Sequence, residues 1–193
     1  MLEYFKNLYT GLSTQQLIGN IVALFGCIVM VGIGFIKHKK QILLAQCVQN
    51  VLLGTSNLLL GGISGFITNV VTIIRNLVAF QFPFTLPFKL VFIAIQILLT
   101  AIFNNLGWIG WMPALAGCLF IWFLDAKSDM TFKIVIITTQ ILWTIFDWTI
   151  KSYTTLVFDF FTMASNLVGI VLILQEKKGM AATNGADSRR FLP

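Results

Sequence analysis

Runs of about 18 or more apolar residues recur along the whole chain, and each is long enough to cross a bilayer as a helix rising about 1.5 Å per residue. Inside the hydrocarbon every backbone N–H and C=O must be satisfied without water, which leaves α-helices and closed barrels. Barrel strands would show about ten residues of alternating pattern, whereas these runs are longer and apolar all round. The expected class is an all-α polytopic membrane protein. Charge content agrees: 10% of residues are Asp, Glu, Lys or Arg, against about a quarter in a soluble domain.

Seven spans fit the pattern, at roughly 15–36, 41–60, 62–81, 85–104, 106–124, 131–150 and 152–175. Gly61-Gly62, the segment from Pro83 to Pro87, Asn104-Asn105 and the charged patch from Asp125 to Asp129 supply the breaks. The loops are too short for a soluble domain. Residues 1–14, with Leu2, Tyr4, Phe5, Leu8 and Tyr9, suit an outer interfacial stub. Glu3 and the lack of a small-residue cleavage site argue against a secretory signal. Residues 177–193 are small and polar and are expected to be a disordered cytoplasmic tail.

Basic residues orient the spans. If the spans simply alternate, eleven of the 13 Lys and Arg fall on one side, in the odd-to-even connections and after the last span; only Lys6 and Lys151 fall on the other. The N-terminus is then outside and the C-terminus cytoplasmic. The same partition accounts for the net charge of +6, so nucleic acid is not an expected partner. Cys27, Cys47 and Cys118 stand singly within spans and read as small packing residues.

Polar residues interrupt the third and seventh spans in the same pattern. "NVVTIIRNL" (69–77) carries Asn69, Thr72, Arg75 and Asn76; "DFFTMASNL" (159–167) carries Asp159, Thr162 and Asn166. Positions i, i+3 and i+7 fall within about 60° on a helix, so Asn69, Thr72 and Asn76 form one polar stripe about 10 Å long, and Asp159, Thr162 and Asn166 form its twin. Other echoes lie at nearly the same spacing, one residue longer than the 90 that separates the stripes. "IGNIVALFGC" (18–27) and "IGWMPALAGC" (109–118) lie 91 residues apart, as do Gln49 and Gln140. Spans one to three therefore read as repeated in spans five to seven. Residues 15–81 form a first three-helix bundle, 82–105 a linker helix and 106–176 a second bundle. Because three is odd, the linker makes the two bundles parallel. Two parallel bundles with a midplane site between them is a transporter layout.

"VLLGTSNLLLGGISGFITNVVTIIRNLVAF" (51–80) with "WTIFDWTIKSYTTLVFDFFTMASNLVGIVLIL" (143–174) resembles the YgjV family of bacterial inner membrane proteins. The likeness covers about residues 15–176. That family is similar in turn to the superfamily of SWEET sugar transporters, PQ-loop proteins and PnuC vitamin transporters. The resemblance implies two three-helix bundles joined by a linker, in the bacterial inner membrane. It also implies a pocket lined by an Asn on the third helix of each bundle and a Trp on the second. Asn76 and Asn166, or Asn69 and Asp159, match the first role; Trp143 and Trp148 match the second in one bundle only, facing Leu52 and Asn57 in the other. Pro113 has Val22 as its counterpart, so a paired proline hinge is absent.

Each polar residue has a plainer reading. Asn, Thr and Gln in membrane helices often bond neighbouring helices, at about 0.6 kcal/mol each, and Thr can bond its own backbone. Gln49 and Gln140 lean to that reading. Asp159 either lines a wet outer vestibule or faces the cavity, where it could carry a coupling proton. Arg75 either snorkels to the inner surface or faces the cavity. Asp147, with Lys151 one turn on, reads as a surface pair, and Trp108 and Trp111 as an aromatic belt.

Enzymatic chemistry finds no footing. The sequence has no phosphate-binding glycine loop, and its one histidine, His38, lies in a basic loop, so no triad or His-based metal site can be built. No cofactor is expected. The reading is a small-polar-solute transporter, for a sugar-like or vitamin-like substrate, working by alternating access. Asn69, Thr72, Arg75, Asn76, Trp143, Asp159, Thr162 and Asn166 are its candidate substrate-binding residues. A non-transporting scaffold or receptor on the same fold is the rival reading, and a homo-oligomer is open to either. The expected partners are a small molecule and the lipid bilayer.

Overall fold

The computed structural model describes residues 11–33, 39–123 and 129–188. Most of the expected interfacial stub, His38, the patch at 125–128, Arg189 and Arg190 lie outside the described residues. Among the described residues there are seven helices: α1 (Thr14–Ile33), α2 (Lys39–Leu59), α3 (Ile63–Gln81), α4 (Leu86–Phe103), α5 (Trp111–Trp122), α6 (Asp129–Thr149) and α7 (Tyr153–Ser188). By length and apolarity α1, α2, α3, α4 and the Tyr153–Gln175 part of α7 can each cross a bilayer.

Helix ends follow local chemistry. Ser13 and Gln16 close a reciprocal capping box ahead of α1: Gln16 N–H donates to Ser13 Oγ at 3.2 Å and Ser13 N–H to Gln16 Oε1 at 3.0 Å. Phe82, just before Pro83, is extended and stops α3; Pro87 fits the first turn of α4. The ends of α2 and α6 are built alike. Gly62 N–H donates to Asn57 C=O and Gly61 N–H to Leu58 C=O; Ser152 N–H donates to Asp147 C=O and Lys151 N–H to Trp148 C=O. Both are Schellman turns with a left-handed residue, Gly61 at φ +80° and Lys151 at φ +60°.

Two expectations are corrected. The fifth apolar segment becomes a helix only from Trp111, and its twelve residues span about 18 Å, short of the roughly 30 Å hydrocarbon core. Residues 104–110 are turns instead, because Asn104 takes over the backbone: it accepts from Leu106 N–H at 2.9 Å and donates to Gly107 C=O. The tail expected to be disordered from residue 177 is helical as far as Ser188. Lys, Met and Ala there propagate a helix already nucleated by the apolar span.

α2 packs between α1 and α3, and α6 between α5 and α7; α4 touches α3 and α5, while α1 meets α7 and α3 meets α5. Gly19, Ala23, Gly26 and Cys27 form the buried face of α1. A Cβ on Gly19 or Gly26 would stand 2.9 Å from Leu60 or 2.8 Å from Leu53, so the small residues set how closely α1 approaches α2. One apolar cluster joins Ile67, Val71, Phe92 and Ile121 across α3, α4 and α5. A second centres on Phe146, wholly buried with Leu60 and Ile150 and pressed against Gly62 and Gly65. Large apolar side chains cover the outward faces, as lipid requires.

Candidate solute-binding site

Between these helices runs a polar cavity of two adjoining lobes, about 130 Å³ and about 330 Å³. Met30, Gln49, Asn50, Asn69, Gln140 and Trp143 line both, so the lobes are continuous. The smaller lobe is closed by Asn57, Asp147, Thr155 and Asp159. The larger reaches Gln46, Thr72, Arg75, Phe120 and Thr139.

Each wall is a helical stripe. On α2, Gln46, Asn50, Leu53 and Asn57 recur at spacings of three or four; on α6, Gln140, Trp143 and Asp147 do the same. Asn69 is buried; its Nδ2 donates to Gly65 C=O at 2.8 Å, which leaves Oδ1 for another partner. Thr68, which also lines the larger lobe, ties α3 to α4: Gln96 Nε2 donates to its Oγ1 at 2.9 Å.

Arg75 does not snorkel. It is 3% exposed, lines the larger lobe and lays its guanidinium over the Phe120 ring at 5.3 Å. Asn76 lies behind it. Its Oδ1 accepts from Arg75 Nε at 3.2 Å and Nη2 at 2.9 Å, and its Nδ2 donates to Gln46 Oε1 at 3.1 Å. Asn76 thus positions the arginine and is not a lining residue of either lobe.

The structure gathers Asn69, Thr72, Arg75, Trp143 and Asp159 on one cavity, and leaves Asn76, Thr162 and Asn166 off it. α7 contributes only Thr155 and Asp159; the larger lobe is walled instead by Ala116, Gly117, Phe120, Ile136 and Thr139 of α5 and α6. Asn166 turns back on its own helix, donating to Thr162 C=O at 2.8 Å. The second stripe therefore reaches the cavity at its first residue alone.

Asp147 is the largest correction. It is 1% exposed and faces the smaller lobe, while Lys151 is exposed in its left-handed turn. The expected surface pair does not form. Gln49 and Gln140, which the sequence left to helix contacts, line both lobes, and Gln140 Nε2 donates to Asp159 Oδ1 at 2.8 Å. Their signal was legible as stripes: Asp147 follows Gln140 by seven residues, on one helix face. Trp148 is 68% exposed and off the site; with Trp108, at 67%, it suits a headgroup belt.

The cavity is thus acidic at the Asp147–Asp159 end and basic at Arg75, with neutral amides and Trp143 between. A model of a family of bacterial inner membrane proteins matches residues 17–177, most of the chain. The chain belongs to the YgjV family. No curated protein and no solved structure matches it. The stretch matched to the YgjV family includes every cavity residue, from Cys27 to Asp159. Membership and the apolar helices make this YgjV-family chain a bacterial inner membrane protein.

Proposed function

We propose that the chain is a transporter of a small polar solute, working by alternating access between two parallel three-helix bundles joined by α4. The observation that carries this reading is the continuous polar cavity, walled by α1, α2 and α3 on one side and α5, α6 and α7 on the other. A solute's hydroxyls or amides need such donors and acceptors fixed among apolar walls. The helix contacts support the arrangement. Exchanging the two triplets turns the α1–α7 contact into the α5–α3 contact, and both exist. The matched turns after α2 and α6, 90 residues apart, support it too. In this reading the N-terminus is outside, the C-terminus is cytoplasmic, and the relation to SWEET and PnuC transporters supplies the mechanism. The substrate is sugar-like or vitamin-like.

Uptake of labelled sugars, nucleosides and water-soluble vitamins into proteoliposomes tests it. The expected result is saturable, protein-dependent uptake of one class, lost in Asn69→Leu. Saturable binding of one of these solutes without any flux would favour a receptor on the same fold.

A further inference from the structure

The acidic end of the cavity holds more buried acceptors than the chain supplies donors for. Asp147 is 1% exposed and Asp159 4%. Their carboxyl groups lie within hydrogen-bonding reach of each other. Gln140 serves Asp159 Oδ1, but Asp159 Oδ2 and both oxygens of Asp147 have no donor. Neither carboxyl group is paired with a cationic side chain among the described residues.

What faces them is neutral. α2 and α3 present the amides of Gln49, Asn50, Asn57 and Asn69, and α7 presents Thr155; α6 sets the Thr144 hydroxyl beside Asp159, but its proton goes to Gln140 C=O. From α1 comes Cys27, the one other titratable side chain in this lobe among the described residues. α5 carries no charged residue. Arg75 stands in the other lobe, and Lys151 is exposed. Two ionised carboxylates are acceptors only and cannot bond each other; a proton on one makes it a donor to the other. Like charges this close and this dry do not both ionise. A metal ion fits less well. No group of three or more His, Cys, Asp or Glu that could hold a metal exists among the described residues, and Gln140 already aims a hydrogen at Asp159.

We propose that Asp147 and Asp159 together bind one exchangeable proton, held between their carboxyl groups and loaded from the water of the central cavity. Loading makes one O–H bond and release returns the proton to cavity water; no other bond changes. The pair goes beyond the transport reading, and its test needs no solute, so either can fail without the other.

The test is infrared spectroscopy of the purified full chain in lipid nanodiscs at neutral pH, where a solvated aspartate is ionised. The expected spectrum contains the carbonyl stretch of a protonated carboxylic acid, which disappears on alkaline titration with the amplitude of one group. Asp147→Asn and Asp159→Asn should each shift the band and move its alkaline midpoint, because the proton is then no longer shared between two carboxyl groups. No protonated band in the native chain, a band that never titrates, or one that is unchanged in both variants overturns the proposal. So does a rise in melting temperature when potassium is exchanged for sodium that is lost in Asp147→Asn, since the occupant would then be a metal cation. If the variants fail to fold, the titration of the native chain decides alone.

Discussion

Arg75 is held by two hydrogen bonds to Asn76 and by the face of Phe120, and each contact makes a different demand on a replacement. Lysine keeps the charge but has neither the planar fork nor the flat face. Arg75→Lys should therefore weaken solute binding about tenfold, and Asn76→Ala should do nearly the same although Asn76 lines no lobe; isothermal titration of both checks this. Asn69→Leu should abolish binding, whereas Asn166→Leu should leave it within about twofold, because Asn166 bonds only its own helix. Equal losses in the two would mean that the cavity reaches α7 further along than its lining residues indicate. Phe146→Ala should cost about 3–5 kcal/mol in equilibrium unfolding, since the ring is wholly buried against two glycines. These residues also show how far a site can be read from one chain. Asn69 and Thr72 of the α3 stripe were legible because they share one face, although Asn76 on that face lines neither lobe. The partner stripe on α7 shares a face as well, yet beyond Asp159 it lines neither lobe. Periodicity specifies a face; packing decides what that face meets. Asp147 was misread for the same reason, since a lysine one turn away says nothing about a left-handed turn that carries it outward.

At the scale of the elements, the turns after α2 and α6 do the same job with different residues. Glycine at 61 adopts φ +80° freely, whereas Lys151 at φ +60° carries a side-chain penalty. Lys151→Gly should stabilise the protein by about 1 kcal/mol, read as a higher midpoint in denaturant. The backbone C=O of Lys151 still accepts from Asn20 Nδ2, so the tie from α1 to the α6–α7 turn survives. Along α1, Gly26→Leu should separate α1 from α2 and lower the melting temperature, since even a Cβ there meets Leu53 at 2.8 Å. The helices themselves were largely legible in the sequence, because membrane spans announce themselves by length and apolarity. α5 was not, for a composition that suits a span does not reveal that Asn104 will claim its first turn. The repeated motif also hides a difference. Gly19 admits Leu60, just past the end of α2, and Gly26 admits Leu53 of α2, but Gly110 and Gly117, their counterparts, lie against Ser64, Thr68 and Asn104. The same small residues set α1 against α2 and α5 against α3.

For the whole molecule, the distribution of lysine and arginine makes a claim about sidedness. In a background lacking Cys27, Cys47 and Cys118, a cysteine at Lys151 should react with an impermeant thiol reagent in spheroplasts, and one at Lys40 should react only after lysis. Both positions are exposed, so the reverse pattern would invert the topology. The position of Trp143 has a consequence of another kind. It lines both lobes and meets Phe146 edge-on at 5.8 Å, while Trp108, Trp122 and Trp148 face outward. Replacing the other four tryptophans by phenylalanine would leave an indole whose emission colour and quenching by aqueous iodide follow the wetting of the cavity. The protein carries its own hygrometer.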